Sequence, residues 1–230
     1  MSNFSDAFLD EAERHTAWGT AQLEALDAAF PDGPWDADLD AALYRQGGRE
    51  IRVGVLATYD PSERTWMWGW ANPGLSGAPV VAAAERVREF GLAHGLREFT
   101  EEVLDLSGFA DPRRAAEVLA FAAMGVTGAA GYLGREAGPS TRVYLLPDDP
   151  RVPLAGVDPV ALPRILTTAV ALIGRSPRLA VGGYFDHFRL ARRQEGTGIS
   201  ADLPDGGTVE VDFDGLGRIA SVRVHTAGRR

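Results

Sequence analysis

Tyr184-Phe185-Asp186-His187 sets a carboxylate beside an imidazole, the side-chain types that carry general acid/base chemistry. Neighbouring residues of a helix do not face each other, so Asp186 and His187 do not form a dyad by adjacency alone. His15 is the other acid/base candidate: it lies on the apolar stripe of the first helix, beside Gly19 and near Trp18. A histidine in that position is either a hydrogen-bonded core residue or a general base facing a cavity. The remaining imidazoles are His94, after a helix end, and His225, near the end of the sequence.

Ligand-binding chemistry points to Thr65-Trp66-Met67-Trp68-Gly69-Trp70-Ala71-Asn72-Pro73, which holds three of the five tryptophans. Side chains of a strand alternate between its faces, so an extended segment places Trp66, Trp68 and Trp70 on one face. Such a wall is the deepest layer of a core or the lining of an apolar pocket, and its indole N–H groups need acceptors. Asn72 reads first as a turn residue before Pro73 and second as a ligand contact. Arg142 and Tyr144 share a strand face, and Tyr132 on the paired strand approaches them, giving a group able to orient a substrate.

Composition removes many reactions. No cysteine is present, which excludes disulfides, thiolate nucleophiles and thiolate metal sites. All 23 basic residues are arginine, which excludes Schiff-base lysines and the lysine of a phosphate-binding P-loop. A net charge of −9 argues against nucleic acid as a partner. The paired arginines at Arg113-Arg114, Arg192-Arg193 and Arg229-Arg230 read as solvated faces or tails. No apolar run reaches bilayer length, and the first residues lack the pattern of a secretory signal, so a cytoplasmic protein away from the membrane is expected. Asp212-Phe213-Asp214-Gly215 has alternating acidic residues but lacks the other ligands of a calcium loop, and reads as a hairpin turn. The glycines at 125, 128, 131 and 134 do not form a dinucleotide fingerprint. Neither metal nor cofactor is expected.

The elements that position these residues follow from periodicity. The first thirty residues give one amphipathic helix, with Phe8, Ala12, His15, Gly19, Leu26 and Phe30 inward. A three-strand meander follows over 38–46, 49–59 and 65–71, turning at Gly47-Gly48 and at Asp60-Pro61-Ser62-Glu63. Helices are predicted over 78–90, capped by Gly91, and over 111–124, where Asp111-Pro112 is a cap followed by a first-turn proline. A hairpin over 132–136 and 141–146 leads into a Pro- and Asp-rich connector. Two more helices, 162–173 and 184–194, precede a closing meander over 197–203, 208–213 and 218–225. The order α-βββ-αα-ββ-αα-βββ with short turns gives an α+β fold of antiparallel meanders, in one 1–230 domain with a boundary candidate near 147–157.

The tryptophan strand ending in Ala71-Asn72-Pro73, the helix closing on Arg88-Glu89-Phe90-Gly91, and the Phe213–Ile219 turn together resemble a bacterial, actinobacterial-type family of unknown function. The resemblance implies that Trp66, Trp68, Trp70, Asn72 and Pro73 define the family, and it carries over no activity. The expected function is non-catalytic binding of a small apolar molecule or a partner protein at the tryptophan site. The competing readings are an acid/base isomerase, cyclase or hydrolase using His15 or a buried carboxylate, and an immunity or assembly module. Oligomeric state stays open.

Overall fold

The computed structural model describes residues 4–226, apart from the side chain of Glu195; the Arg229-Arg230 pair lies outside the described residues. The chain divides into two compact units, one of residues 1–8 and 22–154, the other of 9–21 and 155–230. Both are antiparallel sheets with helices, an α+β architecture. No helix among the described residues is long and apolar enough to cross a membrane.

Helix α1 (Asp6–Ala29) contributes to both units. Its first turn is capped by Ser5, whose hydroxyl accepts from the Phe8 amide at 3.2 Å. The predicted apolar stripe is buried from Phe8 to Phe30.

In the first unit, β1 (Trp35–Asp38), β2 (Leu43–Gln46), β3 (Arg49–Asp60), β4 (Thr65–Trp68) and β5 (Val103–Asp105) follow one another across a seven-stranded sheet. The hairpin β6 (Leu133–Glu136) and β7 (Arg142–Pro147) completes it by pairing β7 with β3. Helices α2 (Ala82–His94), the one-turn α3 (Arg97–Thr100) and α4 (Pro112–Thr127) belong to the same unit.

The β2–β3 turn uses Gly47 and Gly48 at φ 58° and 76°, the backbone that two-residue hairpins demand. The strand expected over 38–46 is two strands, because the Asp38 carboxylate accepts from the Ala41 amide at 3.0 Å and closes a turn between them. Helix α2 runs past Gly91 to a left-handed cap at Gly95. Gly91 instead lies where a Cβ would stand 2.6 Å from that of Phe99.

The tryptophan row is shorter than its alternation predicts. Strand β4 stops at Trp68, and Gly69 opens a short 3-10 turn that carries Trp70 out of the row. Glycine is required at the turn: a Cβ at Gly69 would lie 2.6 Å from the Val55 carbonyl oxygen of β3. Trp66 and Trp68 do share a face, fully buried, with rings edge-on at 5.2 Å.

In the second unit, α5 (Leu162–Ala169) and α6 (Pro177–His187) precede a meander of β8 (Arg192–Glu195), β9 (Gly198–Asp202), β10 (Thr208–Phe213) and β11 (Ile219–His225). The helix expected over 184–194 begins seven residues earlier, at a Ser176-Pro177 cap, and residues 192–195 form an additional strand. Between β10 and β11, Asp214 accepts from the Leu216 and Arg218 amides at 2.9 and 3.0 Å, the hairpin turn the sequence predicts.

Helices α1 and α6 meet backbone to backbone. A Cβ on Gly183 would stand 1.8 Å from the Arg14 carbonyl oxygen, so only glycine fits. Gly183→Ala is expected to destabilise the second unit by about 1–3 kcal/mol or more, the usual cost of overpacking. Gly215→Ala, where an added Cβ meets nothing within 4 Å, is expected to be near neutral. Denaturant midpoints of the two variants check the pair.

Candidate functional site

The indoles behave as core. Trp68 donates its Nε1–H to the Glu98 carbonyl at 3.0 Å, and its ring meets Phe99 at 5.7 Å. Trp66 lies 4.8 Å from the Tyr144 ring, and its buried Nε1 has no partner. Trp70 is half-buried with the Arg88 guanidinium 4.5 Å over its ring, a cation–π contact. Asn72 acts as a turn residue: its side-chain oxygen accepts from the Gly74 amide at 2.9 Å.

Tyr132, Arg142 and Tyr144 do converge, on a residue that the sequence reading did not single out. Glu117 of α4 accepts from the Tyr144 hydroxyl at 3.0 Å and from Arg113 Nε at 2.8 Å, with Arg142 Nε at 3.5 Å. The Tyr132 phenol also faces the charge of this carboxylate. Burial, reinforced by the Glu117 charge, pushes both phenols up from their ordinary range. Arg142 is further held by Glu136 at 2.8 Å and lies 5.5 Å from the Tyr144 ring centre. One carboxylate thus faces two phenols and two guanidiniums, while the buried Arg142 Nε keeps no hydrogen-bond partner among the described residues. The group is a charge-compensated polar network against the tryptophan layer.

A cleft of about 330 Å³ lies elsewhere in the first unit. Its walls are Ala83 and Arg86 from α2, residues 127–130 at the end of α4, and residues 146–150 leaving β7. Arg86 is exposed and bonded to no described group, and so is the carboxylate of Asp148. Opposite charges therefore line one cleft without closing on each other. Neither residue stands out in sequence, because unpaired surface charges have no periodicity to betray them.

In the second unit the two histidine candidates meet across 172 positions. His15 Nδ1 is 2.8 Å from His187 Nε2, and His15 Nε2 is 3.1 Å from Glu11 Oε1. The Trp18 indole stacks on the His187 ring at 4.1 Å with 7° between planes. Glu11, His15 and Trp18 sit at steps of four and three on α1, the spacing that puts them on one helical face. The Glu11 carboxylate only accepts, so the proton of neutral His15 is on Nε2 and its Nδ1 accepts from His187 Nε2–H. That order leaves His187 Nδ1 without a protein partner among the described residues. Asp186 takes no part: it pairs with Arg192 at 3.0 Å.

Burial, then the adjacent His15, pushes the His187 imidazole down to about 4, against a smaller opposing effect of Glu11. The folded state therefore favours neutral His187, while the unfolded chain protonates near 6.5. Between these values the unfolded chain holds more protons, so stability falls as pH drops from about 6.5 toward 4. Imidazole NMR titration is expected to place His187 near 4, and His187→Gln to flatten the pH dependence of stability over that window.

No group of three or more metal-ligating side chains is gathered among the described residues. Searches of curated proteins and of solved structures found no match to the chain. Residues 6–150 match a family described as a family of unknown function, DUF6882, a span that contains the tryptophan strand, the Glu117 network and the Arg86 cleft. That match covers more than half of the sequence, and the chain belongs to the DUF6882 family of unknown function.

Proposed function

We propose that this protein binds a small molecule, held in the cleft between α2, the end of α4 and the end of β7. The observation that carries the reading is an unpaired guanidinium and an unpaired carboxylate lining the same 330 Å³ space. That volume lies within the range of small-ligand pockets, about 300–1,000 Å³. Ala83, Ala129, Ala130, Leu146 and Pro147 supply its apolar part, beside Thr127 and Asp149. The ligand that complements it has an apolar body carrying both charges, as a free amino acid with an aliphatic or aromatic side chain does. Its carboxylate pairs with Arg86 in a two-pronged contact, and its ammonium faces Asp148 and the carbonyl-rich end of α4.

The tryptophan layer then serves the site from behind. Trp66 and Trp68 are fully buried and make the sheet rigid where β3 carries both β4 and β7, the strand that leads into the cleft. The small-molecule reading is kept, and its place moves from the indoles to the Arg86 cleft.

Calorimetric titration with L-leucine and L-phenylalanine tests this reading. Saturable binding is expected, with Arg86→Gln and Asp148→Asn each weakening it by about tenfold, a change of about 1.4 kcal/mol per lost charge contact. Binding by neither amino acid, or binding that both variants retain in full, would overturn the assignment of this ligand to this cleft.

A further inference from the structure

The second unit holds a chain of polar groups with an open end. With both rings neutral, the Glu11 carboxylate accepts from His15 Nε2–H and His15 Nδ1 accepts from His187 Nε2–H, and Trp18 holds the His187 ring flat against its face. A carboxylate, an orienting imidazole and a third polar group in line is the logic by which an N–H or O–H is activated in nucleophilic catalysis. Here the third group is itself an imidazole, so the activated atom is its far nitrogen, Nδ1. His187 is partly exposed, and neither a cysteine nor a lysine competes as nucleophile in this chain.

We propose that His187 Nδ1 is an acyl-accepting nucleophile for small activated carboxylic esters, with His15 and Glu11 as its positioning residues. In the first step Nδ1 attacks the ester carbonyl carbon. An N–C bond forms, the C–O bond to the alcohol or phenol breaks, and the leaving group departs with the electron pair. The proton on His187 Nε2 passes to His15 Nδ1. The acylated ring is therefore neutral, and the positive charge rests on His15 beside the Glu11 carboxylate. Water then hydrolyses the acyl-imidazole to a carboxylic acid, and the ring regains its N–H from that water. The proton on His15 neutralises the departing alkoxide, or passes to solvent where a phenolate stays ionised, and the carboxylic acid releases its own.

The surrounding charges suit this use. His15 and Glu11 face His187 from α1, with Arg14 3.6 Å from Glu11. Asp186 beside it is turned to Arg192 at the start of β8. With its ionisation pushed down to about 4, the His187 ring is unprotonated at pH values where an ordinary imidazole is already cationic.

The probe is p-nitrophenyl acetate, followed by rapid quench and mass mapping of acetylated histidines in the full chain. Acetyl is expected on His187 in preference to His94 and His225. Its rate of appearance is expected to be nearly level from pH 7 to pH 5.5, while free N-acetylhistidine, with a pKa of about 6.5, loses about eightfold. His187→Gln removes that adduct. Glu11→Gln keeps the fold and the adduct but slows acetylation by about tenfold, the scale of a lost acid/base partner. Acetylation spread over the three histidines without preference would overturn the proposal. A pH profile on His187 that follows free histidine would do the same, as would a Glu11→Gln rate equal to the wild type. Because the mapping uses the unmodified chain, a misfolded variant does not decide the outcome.

Discussion

The approach of Gly69 to the backbone of β3 decides what the tryptophan segment is. With the Val55 carbonyl oxygen standing 2.6 Å from where a Cβ would be, only glycine fits where the chain leaves the extended form. Two consequences follow together. Trp66 and Trp68 stay in register with β3 and are sealed into the core, while Trp70 turns away and half-covers itself under Arg88. An uninterrupted strand would have presented three indoles in a row and made an apolar wall. The glycine converts that wall into a two-ring layer with an arginine-covered edge.

Burying those rings next to phenols then sets a polar demand. Tyr144 lies against Trp66, and its hydroxyl, in apolar surroundings, needs an acceptor, which Glu117 supplies. A buried-edge carboxylate needs compensation in turn, and Arg113 and Arg142 provide it. Each member answers a need raised by the previous one. Removing a single partner would leave a charge or hydroxyl uncompensated.

Local structure was largely legible in the sequence because its causes are local. The Gly47-Gly48 hairpin, the Asp111-Pro112 helix start and the Asp214 turn each rest on residues within four positions of one another. The errors have equally physical origins. The alternation over 38–46 is real, but a side-chain turn at Asp38 overrides it. Gly91 resembles a cap in sequence, yet its reason for being glycine is the Phe99 side chain. The Ser176-Pro177 helix start carried the same cap-then-proline signal as Asp111-Pro112 and was legible, although the apolar run after Tyr184 drew the helix too late. The long-range sites were not readable: His15 and His187 are 172 positions apart, and nothing in either neighbourhood names the other. Glu11, four residues before His15 on α1, was not singled out, because a charged residue off the apolar stripe reads as a solvated one.

The contrast between the two polar clusters is a matter of counting donors and acceptors. Around Glu117 the Tyr144 hydroxyl and the Arg113 and Arg142 guanidiniums converge on one acceptor-only group. Around His15 the sequence is directional, since the carboxylate at one end accepts and each imidazole both donates and accepts. A chain of that kind must terminate in an unused lone pair, and it terminates at His187 beneath the Trp18 ring. Mutual compensation of charge makes the first cluster a piece of architecture. The open terminus gives the second a nitrogen with somewhere to send its proton, and that asymmetry, more than the identity of the residues, separates a structural network from a chemical one.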